Sequence, residues 1–120
     1  MPQVTLKRAQ AEDLCDLLDN FTTTINWPAG LDLPSDPEDA KKCIFSVREE
    51  LRSALSSQWD EYVLERDEHV ISRIWCVLYN LGAYPARTWP AGLRTPPHVL
   101  SAHDTMDVVE ELFRQALVLT

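Results

Sequence analysis

The sequence predicts an all-α fold: four main helices in a compact bundle, built as two pseudo-repeated helix–loop–helix units. Three observations carry this. Apolar residues recur at helical spacing in four segments. Only three glycines accompany eight prolines, which argues against an all-β chain with many tight turns. The pentapeptide Trp-Pro-Ala-Gly-Leu occurs twice, at 27–31 and 89–93. The 120 residues are one domain's length. A chain of that size buries roughly two-thirds of its unfolded surface without metal or disulfide staples.

The first helix is expected from about Leu6 to Ile25, with Leu14, Leu17, Leu18 and Phe21 on one face. Asn26 and Trp27 precede Pro28, which ends it. The second is expected to start near Ser35, which has capping-box spacing to Glu38, with Pro37 in the first turn. Ala40, Cys43, Ile44, Val47, Leu51, Ala54 and Leu55 form its apolar face. Trp59, Tyr62 and Val63 continue the period, so helices two and three are either continuous through 56–69 or broken there. The third helix centres on Val70, Ile71, Ile74, Trp75, Val77, Leu78 and Leu81 and is apolar around most of its circumference, which places it near the middle of the fold. The fourth starts at Ser101, with Asp104 in capping-box position, and carries Met106, Val109, Leu112, Phe113, Ala116 and Leu117 inward.

An offset of 62 residues superposes the two pentapeptides, and 12 of the 29 positions in 27–55 and 89–117 are then identical. The preceding helices match at an offset of 61, pairing Leu14 with Trp75, Cys15 with Cys76, Leu17 with Leu78 and Leu18 with Tyr79. The organisation expected is a first repeat at about 9–57, a bridge at 58–69 and a second repeat at about 70–119.

A Trp-containing loop, an Ala…Cys helix start and a late Thr…Val-Val…Leu…Ala helix are carried here by Trp27, Gly30, Ala40, Cys43, Thr105, Val108, Val109, Leu112 and Ala116. In this the chain resembles short uncharacterised helical domains of bacteria and their phages. The Trp-Asn-Asp that precedes the last helix in those domains is missing. The resemblance carries no known activity and transfers no site.

Charge is unevenly spread. The net charge is −8. Between Ala9 and Ala40 there is no Lys or Arg, but there are eight acids: Glu12, Asp13, Asp16, Asp19, Asp32, Asp36, Glu38 and Asp39. Asp and Glu near the start of helix two favour a helix N-terminus, whereas Asp16 and Asp19 lie toward the C-terminal half of helix one, where acids are mildly unfavourable. Glu12, Asp16 and Asp19 are expected on one outward face. So acidic a surface repels phosphate backbones, which argues against direct nucleic-acid binding. It suits a partner protein with a basic surface. The partner-binding candidates are Glu12, Asp13, Asp16, Asp19, Asp32 and Asp36, together with Trp27 and Trp89 as aromatic anchors in the two loops.

No catalytic residue, metal set or cofactor is expected. Cys15, Cys43 and Cys76 lie on or beside apolar faces, where cysteine is usually a small hydrophobe. Asp32, Asp36 and Glu38 lack the spacing of a calcium loop. His98, His103 and Asp107 do not complete a site. Glu65 and His69 read as a surface i, i+4 pair. An odd number of spaced cysteines, no apolar run of membrane length and no apolar leader segment point to the reducing cytoplasm.

The function expected is that of a small acidic cytosolic binding protein, of the inhibitor, immunity or phage anti-defence type, with nucleic-acid charge mimicry as one mode. Two alternatives stand beside it. One is a small enzyme or ligand-binding domain with a pocket between the repeats, using Trp27, Trp89 and His103. The other is a structural homodimer burying Trp59, Tyr62 and Val63.

Overall fold

The computed structural model describes residues 2–23, 36–82 and 99–118, with side chains over 2–19, 36, 38–80 and 104–118. The two Trp-Pro-Ala-Gly-Leu segments with Trp27 and Trp89, Asp32, Ser35 and His98 lie outside the described residues, as do the side chains of Phe21 and His103. The chain runs β1 (Gln3–Lys7), α1 (Arg8–Thr23), α2 (Pro37–Ala54), β2 (Glu61–Glu65), α3 (Glu68–Gly82) and α4 (Val99–Val118). Four helices form as expected, but the fold is mainly helical rather than all-α. A two-stranded antiparallel sheet joins the start of the chain to the bridge.

The sheet follows from period-two patterning that the helical reading passes over. In β1, Val4 and Leu6 are buried while Gln3, Thr5 and Lys7 are exposed. In β2, Leu64 is buried, Tyr62 half-buried, and Glu61, Val63 and Glu65 face out. Val4 opposes Leu64 and Leu6 opposes Tyr62. Gln3 Nε2 donates to Glu65 at 2.5 Å, and Lys7 stands opposite Glu61. An isolated two-stranded sheet is marginal in water. This one rests its apolar face on the helical core.

Leu6 therefore belongs to a strand, and α1 starts at Arg8, where Gln10 Oε1 accepts from Lys7 N–H at 2.8 Å. The cap of α2 is Asp36 rather than Ser35. Its carboxylate accepts from Asp39 N–H at 3.1 Å. The physical reason is Pro37 at the first helical position: the residue before a proline is pushed out of the helical region, and a cap must lie there.

Helix α2 ends at Ala54, and side chains take up the carbonyls at and just beyond its end. Trp59 Nε1 donates to Ala54 O at 2.7 Å. Arg8 donates to the carbonyls of Leu55 and Ser57, each at 2.7 Å, with its guanidinium 5.2 Å from the Trp59 ring centroid. Trp59 and Tyr62, whose hydroxyl donates to Glu50 at 2.9 Å, are thus engaged within the chain. Helices two and three are separate. α3 is capped by Asp67, which accepts from Val70 N–H at 3.0 Å, and α4 begins two residues before the expected Ser101.

The core takes Leu14, Leu17 and Leu18 from α1, Ile44, Val47 and Leu51 from α2, Ile71, Ile74 and Leu78 from α3, and Met106, Val109 and Phe113 from α4. α1 packs mainly on α2 and α3 mainly on α4. The order strand–helix–helix runs twice. Burial follows the offset of 62 for α2 and α4, since Ile44, Val47 and Leu51 and their counterparts Met106, Val109 and Phe113 are all buried. It does not follow the offset of 61 for α1 and α3: Leu18 is fully buried, but Tyr79 is 59% exposed. The buried series Ala11, Leu14, Leu17, Leu18 instead corresponds to Ile71, Ile74, Val77, Leu78, an offset of 60. One residue of shift turns a helix by about 100°, enough to exchange its buried and exposed faces. Among the described residues, no helix is long and apolar enough to cross a membrane.

Candidate functional site: an acidic helix braced by arginines

The acids of α1 do not share one outward face. They fan out in three directions. Toward α2, Asp19 is half-buried and meets Arg48 at 2.5 Å. Arg48 also pairs with its neighbour Glu49. Toward α4, Asp13 is half-buried and lies near Thr105, which favours its charged form. Between these lie Glu12 and Asp16, both exposed. Glu12 accepts from Arg8 Nε at 3.3 Å. The stretch without bases is therefore partly neutralised in space by arginines from outside it: Arg8 on Glu12, Arg48 on Asp19 and Arg73 on Asp39.

Crowding remains on the outer side. Asp13 holds its proton more tightly than an ordinary Asp, first because it is partly desolvated and then because Asp16 and Glu12 are close. Asp16 is raised likewise, by desolvation and then by Asp19 and Glu12. Asp104, next to Thr105 on α4, is exposed and adds a further acid at this edge.

A cleft of about 330 Å³ lies beside the crowded acids, lined by Cys15, Asp16, Asp19, Arg48, Arg52 and Leu55. It sits within the first helical pair, not between the two pairs. Its walls carry both signs of charge. Cys15 is buried and its thiol donates to Arg48 O at 3.8 Å. Burial and then Asp16 push that thiol up, away from the reactive thiolate.

A second constellation stands at the other end of α2. Asp39 and Cys43 are one turn apart on α2, and the first turn of α3 brings His69 to them. His69 Nε2 lies 2.5 Å from Asp39 Oδ2, and Arg73 Nε donates to the same oxygen at 3.3 Å. His69 thus belongs to a contact between α2 and α3, not to a pair with Glu65, which is in β2 and bonded to Gln3. The sequence signal is present as two i, i+4 spacings, Asp39 with Cys43 and His69 with Arg73, but only the packing of α3 on α2 joins them. Asp36, one of the partner-binding candidates, is the cap of α2.

Compared with family models, with curated proteins and with solved structures, the chain matches none.

Proposed function

We propose that this chain is a non-enzymatic binding protein that docks on a basic protein surface through the outer side of α1 and blocks that surface. The observation that carries the reading is the clustering of Glu12, Asp13 and Asp16 on α1, where desolvation first, and then the neighbouring acids, raise both aspartates. A Lys- or Arg-rich partner relieves the repulsion among these acids and is steered by their charge. Asp19 belongs to the brace with Arg48 and supports α1 rather than the contact. The strand–helix–helix order and the 12 shared positions support a duplicated ancestry. On this reading the first copy carries the acidic surface.

The test uses the exposed pair. Wild type and a Glu12→Gln/Asp16→Asn variant are immobilised, and extract from the native host is passed over each at low salt. A discrete basic protein retained by wild type, eluted by salt and lost in the variant supports the reading. Its association rate should then fall in the variant and, for wild type, fall steeply as the Debye length shrinks from about 10 Å at 0.1 M to 3 Å at 1 M. Equal retention by both proteins refutes it.

A further inference from the structure

We propose that Asp39, Cys43 and His69 form a binding site for one divalent transition-metal ion of the zinc type, tying the start of α2 to the start of α3. One oxygen, one sulfur and one nitrogen donor, from the three residues in turn, lie within 4.8 Å of one another. They come from two helices whose first turns are fixed independently, by the Asp36 and Asp67 caps.

The chemistry selects the ion. Calcium and magnesium take all-oxygen shells. A thiolate, an imidazole and a carboxylate together are the donor set of zinc and its neighbours. Around a tetrahedral zinc, a nitrogen and an oxygen donor stand about 3.3 Å apart, and a sulfur and a nitrogen about 3.6 Å. Asp39 and His69 now stand at 2.5 Å, so an ion entering between them would part them by less than about 1 Å. The side chain of His69 is 55% exposed and that of Asp39 35%, which leaves an entry path from solvent, while Cys43 closes the inner side. Three protein donors leave a fourth position for water.

Binding balances in protons and charge. The Cys43 thiol gives its proton to solvent, and the imidazole keeps one proton, on Nδ1, once Nε2 takes the metal. A divalent ion, a thiolate and a carboxylate sum to neutral. Arg73 remains on Asp39 Oδ2 as an outer partner that orients the carboxylate.

Cobalt(II) titration of the metal-free full chain is the test. The expected result is one equivalent bound per chain, with a thiolate-to-cobalt charge-transfer band, visible absorption of four-coordinate intensity, and loss of both when zinc is added. His69→Ala changes an exposed side chain and keeps the fold, and Cys43→Ser keeps the volume. Each should weaken binding at least about tenfold. Cys76→Ser and a His98→Gln/His103→Gln double variant should bind as wild type does. Zinc should also raise the thermal midpoint of wild type and not that of His69→Ala. The proposal is overturned if no thiolate band appears, or if His69→Ala and Cys43→Ser bind cobalt as tightly as wild type. Binding that instead follows His98 and His103 overturns it too.

Discussion

The two ends of α2 hold similar side chains in different arrangements. Toward its C-terminal half, Cys15 and Asp19, one turn apart on α1, lie against Arg48. Near its N-terminus, Cys43 and Asp39, one turn apart on α2, lie against His69 and Arg73 of α3. Each region has a buried cysteine, an aspartate and an arginine. In the first, the arginine side chain is only 12% exposed and its two terminal nitrogens meet Asp19 and Glu49. The carboxylate is committed to holding two helices together. In the second, Arg73 reaches Asp39 through one long bond, His69 shares the same oxygen, and the group opens to water. Composition does not separate a brace from a ligand-like cluster. The number of carboxylates on the arginine and access from solvent do.

The largest effect expected concerns what the two regions share. Ile44 and Leu51 lie beneath opposite halves of α2, both fully buried in one core. Ile44→Ala and Leu51→Ala should each lower stability by roughly 2–5 kcal/mol in urea unfolding. A loss within error at either one would show that half of α2 to be loosely packed and would break the comparison at its base. The next effect separates the regions. Arg48→Ala leaves half-buried Asp19 without this partner and should cost roughly 1–3 kcal/mol, less than a fully buried pair because Asp19 keeps some water. Arg73→Ala, beside a more exposed carboxylate, should cost less than Arg48→Ala. Equal losses would mean that Arg73 is as much a brace as Arg48.

Much of this is legible in the residues, and the misses have a common cause. Helical spacing places Leu17, Ile44, Val47, Leu51, Ile74, Leu78, Val109 and Phe113 in the core, and all are buried. The strands escape that reading because each is five residues long and carries its apolar pattern on two residues, Val4 with Leu6 and Tyr62 with Leu64. Those short runs also fit the ends of neighbouring helical patterns, and only the pairing of the chain's start with the bridge distinguishes them. The common outward face expected for Glu12, Asp16 and Asp19 fails at Asp19, because helical geometry alone cannot show that Arg48 of another helix comes to meet it. The Asp39–Cys43–His69 group is illegible for the same reason: part of it arrives on α3.

The cysteines sharpen the contrast further. All three are expected on inward faces, but only Cys15 and Cys43 are buried, while Cys76 is half-buried. Burial is the first cause of the upward shift in both Cys15 and Cys43, with Asp16 and Asp39 respectively adding to it. In metal-free native protein at neutral pH, brief exposure to a thiol reagent followed by peptide mass spectrometry should find Cys76 modified first. Early modification of Cys15 or Cys43 would mean that its helix pair opens readily, and would remove that region from the comparison.

The smallest effect is electrostatic and has a definite sign. Asp13 and Asp16 have native proton affinities above those of the unfolded chain, chiefly through desolvation and then through nearby acids. The native state therefore binds more protons than the unfolded state in the window between the ordinary Asp value and the raised one. Stability falls as pH rises through that window, and it is regained as pH falls. Glu111, held low by Arg114, acts in the opposite sense: its contribution is present above the unfolded value and is lost in acid. An Asp13→Asn/Asp16→Asn variant removes only the first effect. Relieving like-charge neighbours on a helix is worth on the order of 0.2–0.5 kcal/mol per pair. The variant should thus be slightly more stable than wild type at neutral pH, and the gap should close toward acid, as read from urea midpoints across a pH series. A gap that stays constant with pH would place the difference in packing rather than charge, and the acidic side of α1 would lose the repulsion on which its proposed role depends.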